Sequence, residues 1–396
     1  MTLLRLLSLC TAAALSAAPV SLQQLLDAAA HSDAAQSQAY AAQAARLQQR
    51  AGLLTDGPSL YAAGGYAKTK DASDQGGEYH VALEMPLRTV STADLERLFG
   101  ADEHITVALG QGQLQNTVYG YYIDACTLRE ELWLIEDAKS RGVEMEALIR
   151  TGMEGGEFDR SAWLRSRLNV QTLTLQIGEL ESRYAATMKL LGAAVQLEPS
   201  ELLCSDLPDT IALPPQDLFE SAPLMQQLEN RLAGANALKS YRESWLPEIT
   251  VGAGYDDEID LRRGLVYANI PLGGGSRRAN EREAARRAAL AAGAELRTMR
   301  TALAAKIAAF TFDQQTRKTN LQRLNDDLIP DAYETTDLLQ ERFMGSEASY
   351  LEYIDSQKAL FALLMEGVQL RASALKAEAE LFGTLGITPV LKKDEK

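Results

Sequence analysis

One long unit occurs twice in this chain, and that duplication limits what it can fold into more than any other feature. Val81-Ala82-Leu83-Glu84-Met85-Pro86-Leu87 is answered 185 residues later by Val266-Tyr267-Ala268-Asn269-Ile270-Pro271-Leu272. The stretch from Pro58 to Tyr66 is answered 189 residues later by Pro247 to Tyr255, and Gly156-Glu157 by Ser346-Glu347 at a distance of 190. Solenoid repeats run to ~20–50 residues. A period this long instead duplicates a large unit, here a short β-hairpin set into long helices.

The remaining signals are consistent with export. Arg5 precedes an apolar run from Leu6 to Ala18 that ends in small residues, which reads as a secretory leader cleaved near residues 16–18, the other reading being an N-terminal core helix. Leu9 before Cys10 does not fit a lipid-anchor signal. No other stretch supplies the ~20 apolar residues of a membrane-spanning helix. A net charge of −15 argues against a nucleic-acid partner.

Proline, glycine and periodicity divide the chain. Residues 1–18 are the leader. The first repeat, 19–208, holds a helix over 21–56, strands at 59–67 and 78–87, a long helix from Ser91 to about Thr151, a turn at Gly155-Gly156, and a returning helix over 158–191 that ends at Gly192. A connector with Pro199, Pro208, Pro214 and Pro215 follows. The second repeat, 209–388, holds a helix over 216–244, strands at 248–256 and 264–272 joined by the acidic loop Asp256-Asp257-Glu258, a helix to Leu328, a continuation to Met344 started or kinked by Pro330, and a return over 346–382. Residues 389–396 are a charged tail.

The strands carry the functional reading. In 78–87, Tyr79, Val81, Leu83, Met85 and Leu87 share one face, and His80, Ala82 and Glu84 share the other. Ile249, Val251, Ala253 and Tyr255, then Val266, Ala268, Ile270 and Leu272, continue the apolar face. Segments of ~9–11 residues cross a bilayer when tilted. Four strands cannot close on themselves, and open edges are not tolerated in lipid. Three copies would pool twelve, with Glu84 and Asn269 toward a water-filled lumen. The alternative is a small soluble sheet capping a helical bundle.

Arg342-Phe343-Met344-Gly345-Ser346-Glu347-Ala348-Ser349-Tyr350-Leu351-Glu352-Tyr353-Ile354-Asp355-Ser356-Gln357 resembles the signature of the TolC-like outer membrane efflux proteins, and Leu328-Ile329-Pro330-Asp331-Ala332 resembles the segment upstream of it. Leu246-Pro247-Glu248-Ile249 and Ile270-Pro271-Leu272-Gly273 resemble the family's strand borders. The resemblance implies a mainly α fold with a small β part: duplicated helical hairpins form a periplasmic α-barrel, and four strands per protomer join a trimeric twelve-stranded outer-membrane barrel. It further implies a homotrimer in the outer membrane of a Gram-negative bacterium that conducts substrates outward, docks a periplasmic adaptor and an inner-membrane transporter, and performs no chemistry. The short chain and the Leu-Ile-Pro-Asp-Ala form resemble the heavy-metal-efflux branch. A periplasmic adaptor and a soluble exported coiled-coil scaffold are the competing readings.

Glu352 and Asp355, three apart on a helix, match the family's acidic entrance residues. In a trimer they give six carboxylates around the axis, which favour cations and raise one another's pKa. The first-half counterpart of Glu352 is Ala162, so Ser161 is the polar residue left to lock neighbouring helices there. Phe343, Arg342 and Arg150 are further gate or inter-helix candidates, the arginines as partners for acidic residues on adjacent helices. Gly155, Gly156, Glu157, Gly345, Ser346 and Glu347 form the two turns that the resemblance assigns to adaptor contact. Cys126 and Cys204 fall at similar heights along the helices, which leaves a disulfide between them open. His31, His80 and His104 have no metal-ligand spacing, Gly273-Gly274-Gly275-Ser276 lacks the lysine of a phosphate loop, and no cofactor is implied.

Overall fold

The computed structural model describes residues 19–51, 57–68, 75–88, 90–208, 217–244, 248–258, 261–270, 276–345 and 349–389. The expected leader, the turn residues Ser346 and Glu347, and the tail beyond residue 389 lie outside them.

The N-terminal region holds two helices rather than the single one expected, α1 (Leu22–Ala30) and α2 (Asp33–Ala51). Ser21 and Gln24 close a reciprocal capping box on α1. His31 has left the helical conformation, with its Nδ1 2.7 Å from the Asp27 carbonyl. Ser32 then donates to the Ala29 carbonyl at 2.7 Å and accepts from the Ala35 amide at 3.4 Å, ending one helix and starting the next with one hydroxyl.

The strands are β1 (Ser59–Lys68) and β2 (Gln75–Arg88) in the first half, β3 (Glu248–Glu258) and β4 (Leu261–Asn269) in the second. They form one antiparallel sheet in the order β1-β2-β3-β4. The second hairpin corrects the sequence reading. Asp256, Asp257 and Glu258 belong to β3 rather than to a loop, and β4 starts three residues earlier than expected. Across the register Asp256 faces Arg263 and Asp257 faces Arg262, so opposite charges pair on neighbouring strands and extend the ladder.

The long helices are α3 (Ala93–Gly155), α4 (Arg160–Val195), α6 (Pro223–Glu243), α7 (Ser276–Arg323), α8 (Ile329–Met344) and α9 (Tyr350–Leu385). A short helix, α5 (Asp217–Glu220), precedes α6; Pro223 at the first position of α6 splits the helix expected over 216–244. Gly192 does not end α4. The helix runs to Val195 and closes on Gln196 in the left-handed conformation, φ 56°, whose amide bonds the Gly192 carbonyl. Pro330 follows a single π turn, Leu324–Leu328, that joins α7 to α8.

The chain divides into two compact units, and each draws on both halves of the duplication. The helical unit takes the described parts of Met1–Gln38, Ala108–Pro223 and Leu303–Lys396; the strand unit takes Ala39–Val107 and Leu224–Ala302. In the helical unit, Leu22, Leu25, Leu26 and Ala29 of α1 pack against Val118, Tyr122, Ile123 and Cys126 of α3, Leu191 and Val195 of α4, and Leu375 of α9. Each large apolar side chain buried there contributes ~1.5–3 kcal/mol. Gly112 marks a crossing in that core: a Cβ there would stand 2.2 Å from the Gly386 carbonyl oxygen. Gly386, at φ 74°, closes the C-terminus of α9.

Candidate functional site

The sheet is apolar on its exposed face. Tyr79, Val81, Leu83, Met85 and Leu87 of β2 are all exposed, as are Leu60 and Tyr66 of β1, Tyr255 of β3 and Val266 of β4, the last at 89 %. The register aligns these residues: Val81 with Tyr255, Leu83 with Ala253, Met85 with Val251, and Ala253 in turn with Val266. From Tyr79 to Leu87 the band spans roughly 26 Å along the strand at ~3.3 Å per residue, or about 20 Å in height at a ~40° tilt, close to the apolar band of an outer-membrane barrel. Tyr66, Tyr79 and Tyr255 lie toward one edge of it, and the exposed pair Asp257–Arg262 (3.1 Å) lies level with Tyr79.

The opposite face is mixed, shielded along β2 and β3 and exposed at Tyr61 of β1 and Asn269 of β4. Ala82 and Asp256 are buried, and Glu84 accepts a hydrogen bond from the Tyr267 hydroxyl at 2.8 Å. Tyr267 lies over Gly252, where a Cβ would meet its ring at 2.4 Å, so the glycine makes room for the pair. His80 bonds Asp256, which also accepts from Arg263 at 2.9 Å, and Arg263 reaches Glu258 at 2.8 Å. Asn269 pairs with Thr250 across the register, which places it on the same face as Glu84. The sequence reading missed Tyr267, Asp256 and Arg263. The signal was available: two arginines and two aspartates at matching distances from the hairpin turn.

In the helical unit, two helical hairpins meet in an aromatic cluster. Phe343 is 4 % exposed and lies 5.4 Å from Phe158 and 5.9 Å from Tyr353, ring centre to ring centre, with both pairs stacked. Met145, Ile149, Tyr350 and Ile354 complete the cluster. Phe343 therefore sits between hairpins of one protomer as core. Gly152, which the sequence reading did not single out, permits this: a Cβ there would meet the Phe158 ring at 2.4 Å.

The turn Gly155-Gly156-Glu157 is exposed, with Gly156 at φ 84° and the Glu157 amide bonded to the Gly152 carbonyl at 2.8 Å. Gly345 ends α8, its amide 2.9 Å from the Glu341 carbonyl. Both returning helices begin on a cap. Asp159 accepts from the Ala162 amide at 2.7 Å and from the Ser161 hydroxyl at 2.8 Å, and these bonds hold its carboxyl below the usual range. Ser161 is thus engaged within its own turn. Ser349 and Glu352 form a capping box: the Glu352 carboxylate accepts from the Ser349 amide at 2.8 Å, while Ser349 Oγ accepts from the Glu352 amide at 3.3 Å.

Those Ser349 bonds, with Arg342 adding a smaller contribution, hold the Glu352 carboxyl below its ordinary value. Within one protomer this is the reverse of the rise expected for a carboxylate ring. Asp355 is exposed one turn further on. Arg150 and Arg342 are exposed, and neither makes an ion pair among the described residues. No group of three His, Cys, Asp or Glu side chains among the described residues is placed to hold a metal.

Cys126 and Cys204 form a disulfide with Cα atoms 5.5 Å apart. It ties α3 to the connector, which is held by further contacts. Tyr122 donates to the Leu203 carbonyl, Arg129 donates to the Leu202 carbonyl at 2.9 Å, and Val20, paired with Leu202 in a parallel bridge, donates to the Glu201 carbonyl at 2.9 Å and accepts from the Leu203 amide at 3.0 Å.

A four-stranded antiparallel sheet with one apolar face, in one chain with paired helical hairpins whose returning helices start on caps, is a fold shared with solved outer membrane channels. Solved structures with this fold include a membrane protein from Pseudomonas aeruginosa (18 % identity, TM-score 0.75, 93 % of this chain and 90 % of that one). The outer membrane protein VceC from Vibrio cholerae matches at 14 % identity and TM-score 0.72, over 93 % of this chain and 96 % of that one. The open-state outer membrane channel MtrE from Neisseria gonorrhoeae matches at 14 % and 0.71, over 95 % and 90 %. No curated protein matches the chain by sequence. Residues 215–387 match the family described as outer membrane efflux protein, and the fold of the chain is TolC-like.

Proposed function

We propose that this protein is the exit duct of a tripartite efflux system: a homotrimer whose twelve pooled strands cross the outer membrane of a Gram-negative bacterium and whose helices extend into the periplasm. The observation that carries this is the sheet. Along β2 the apolar side chains from Tyr79 to Leu87 are exposed while Ala82 and Glu84 on the other face are shielded, and β1 and β4 each have one unpaired edge. In lipid an unpaired edge costs several kcal/mol per backbone group, and pairing β4 of one copy with β1 of the next removes it. Among the described residues no helix is long and apolar enough to cross a membrane.

Conduction through the duct is passive: residues 215–387 match a family of outer membrane efflux proteins, and the pore face offers fixed charges and hydrogen bonds. The exposed turns at Gly155-Gly156-Glu157 and Gly345 are the surface for a periplasmic adaptor, through which an inner-membrane transporter is engaged. Glu352 and Asp355, repeated three times, select cations at the entrance.

Single-channel recording in planar bilayers tests the reading. Glu352→Gln/Asp355→Asn removes the charges while keeping the capping box, because Gln also serves at that position. The wild type is expected to prefer cations and to be blocked by millimolar divalent ions, and the variant to lose both properties at unchanged expression. A wild type that forms no channel overturns the duct; equal selectivity in both proteins overturns the acidic entrance.

A further inference from the structure

Charge is unevenly distributed. Of the 39 Lys and Arg and 54 Asp and Glu in the chain, the strand unit holds 18 and 19, so it carries only −1 of the −15. Within it, basic residues gather where α6 runs into β3 and where α7 leaves β4. The first turn of α7 has no acidic residue, and Arg277, Arg278, Arg282, Arg286 and Arg287 fall in its first three turns. Cations at a helix N-terminus oppose the helix dipole, so local helix energetics disfavour this arrangement.

The described side chains form a network. Arg242 pairs with Glu281 at 3.1 Å, Arg286 with Glu243 at 2.7 Å, and Arg287 with Glu283 at 2.7 Å, while Arg282 donates to the Arg242 carbonyl at 3.2 Å. Lys239 adds a fifth cation, so three carboxylates face five positive groups. Arg286 and Arg287 remain 55 % and 75 % exposed, and a guanidinium with one partner keeps several N–H donors free. Arg242 lies six residues before β3, and the Arg282–Arg242 bond holds α7 at the same level. This cluster therefore borders the end of the apolar band marked by Leu87 and Ile249, opposite the tyrosine edge.

We propose that Arg242, Arg282, Arg286 and Arg287 form an anionic-phospholipid site, taking the phosphodiester headgroup of phosphatidylglycerol or a related lipid from the leaflet that faces the helices. The inference rests on the membrane-barrel reading above. Guanidinium forks match phosphate oxygens in geometry and charge. The exposed apolar face of the adjoining strands supplies the surface for the acyl chains, so headgroup and tail sites are continuous. The acidic partners orient the arginines without neutralising all of them.

The test uses the full-length detergent-purified protein, mixed with phosphatidylglycerol and phosphatidylethanolamine and examined by native mass spectrometry, with vesicle flotation in parallel. Wild type is expected to retain phosphatidylglycerol over phosphatidylethanolamine by about ten-fold or more, given ~1 kcal/mol for each basic residue near an anionic surface. Arg282→Gln/Arg286→Gln/Arg287→Gln is expected to lose the preference, and the corresponding Lys variant to keep most of it. Excess glycerol 3-phosphate is expected to leave the preference intact. Equal retention by wild type, an unchanged preference in the Gln variant, or its erasure by glycerol 3-phosphate overturns the lipid site. Flotation with neutral vesicles but without preference sinks this inference alone; no flotation with any vesicle sinks the membrane reading as well.

Discussion

Removing the Cys126–Cys204 disulfide should lower stability through the unfolded chain. The bridge closes a loop spanning 78 residues, and the chain-entropy relation for that length gives an upper value of about 4.5 kcal/mol. The native contacts of the connector do not depend on the bridge. Leu202 is 1 % exposed, and Leu202 and Leu203 are held by Arg129, Tyr122 and Val20. The suitable variant is Cys126→Ala/Cys204→Ala, because a serine at the buried position 126 would add an unpartnered hydroxyl. Urea unfolding in detergent, followed by tryptophan fluorescence, should show a loss of about 2–4.5 kcal/mol for the variant. Wild type treated with dithiothreitol should unfold at the same urea concentration as the variant. Channel conductance should be unchanged. Identical unfolding of oxidised wild type, reduced wild type and variant would refute the reasoning, as would a conductance change of the size seen in stability.

Other expectations follow from single positions. Leu83→Arg places a charge at the middle of the apolar band and should cost about 2–4 kcal/mol of membrane stability, read as reduced yield of heat-resistant trimer, whereas Ala82→Ser on the other face should assemble normally. Gly152→Ala should displace Phe158 from its stack on Phe343 and cost about 1–3 kcal/mol, seen as a lower unfolding midpoint and faster proteolysis at the tip. Asp159 and Glu352 have lowered pKa values from their capping bonds, so their contribution is complete above the ordinary values of 3.8 and 4.5 and is lost as pH falls through the depressed folded values. Trp163 fluorescence should therefore report loosening of the α4 start only on acidification below about pH 4, and Asp159→Asn should shift that transition; a transition near neutrality would contradict the assignment.

Much of this architecture was legible because the determining signals are local. The two-residue alternation of Tyr79 to Leu87 fixes which face is apolar, whereas the Ser349–Glu352 capping box starts α9 at Tyr350, four residues after the expected 346. What was not legible depends on contacts distant in sequence. Asp256, Asp257 and Glu258 have loop composition, and only the opposing Arg262 and Arg263 make them strand residues. Gly112 falls within a long helix, and the close approach it permits is to Gly386, 274 residues away in the chain. Phe343 sits in the most recognisable stretch of the sequence, but that it stacks between Phe158 and Tyr353 follows from how two hairpins dock. The break at His31-Ser32 rests on a single hydroxyl serving two helix ends, within an alanine-rich run that otherwise favours continuation.

The central claim is that four strands per chain become a closed membrane barrel only by association. The mass of the detergent-extracted particle, measured by light scattering with the bound detergent subtracted, tests it directly. The account predicts three copies of the chain, with extraction from the membrane fraction requiring detergent. A single copy that stays monodisperse in detergent-free buffer would contradict it.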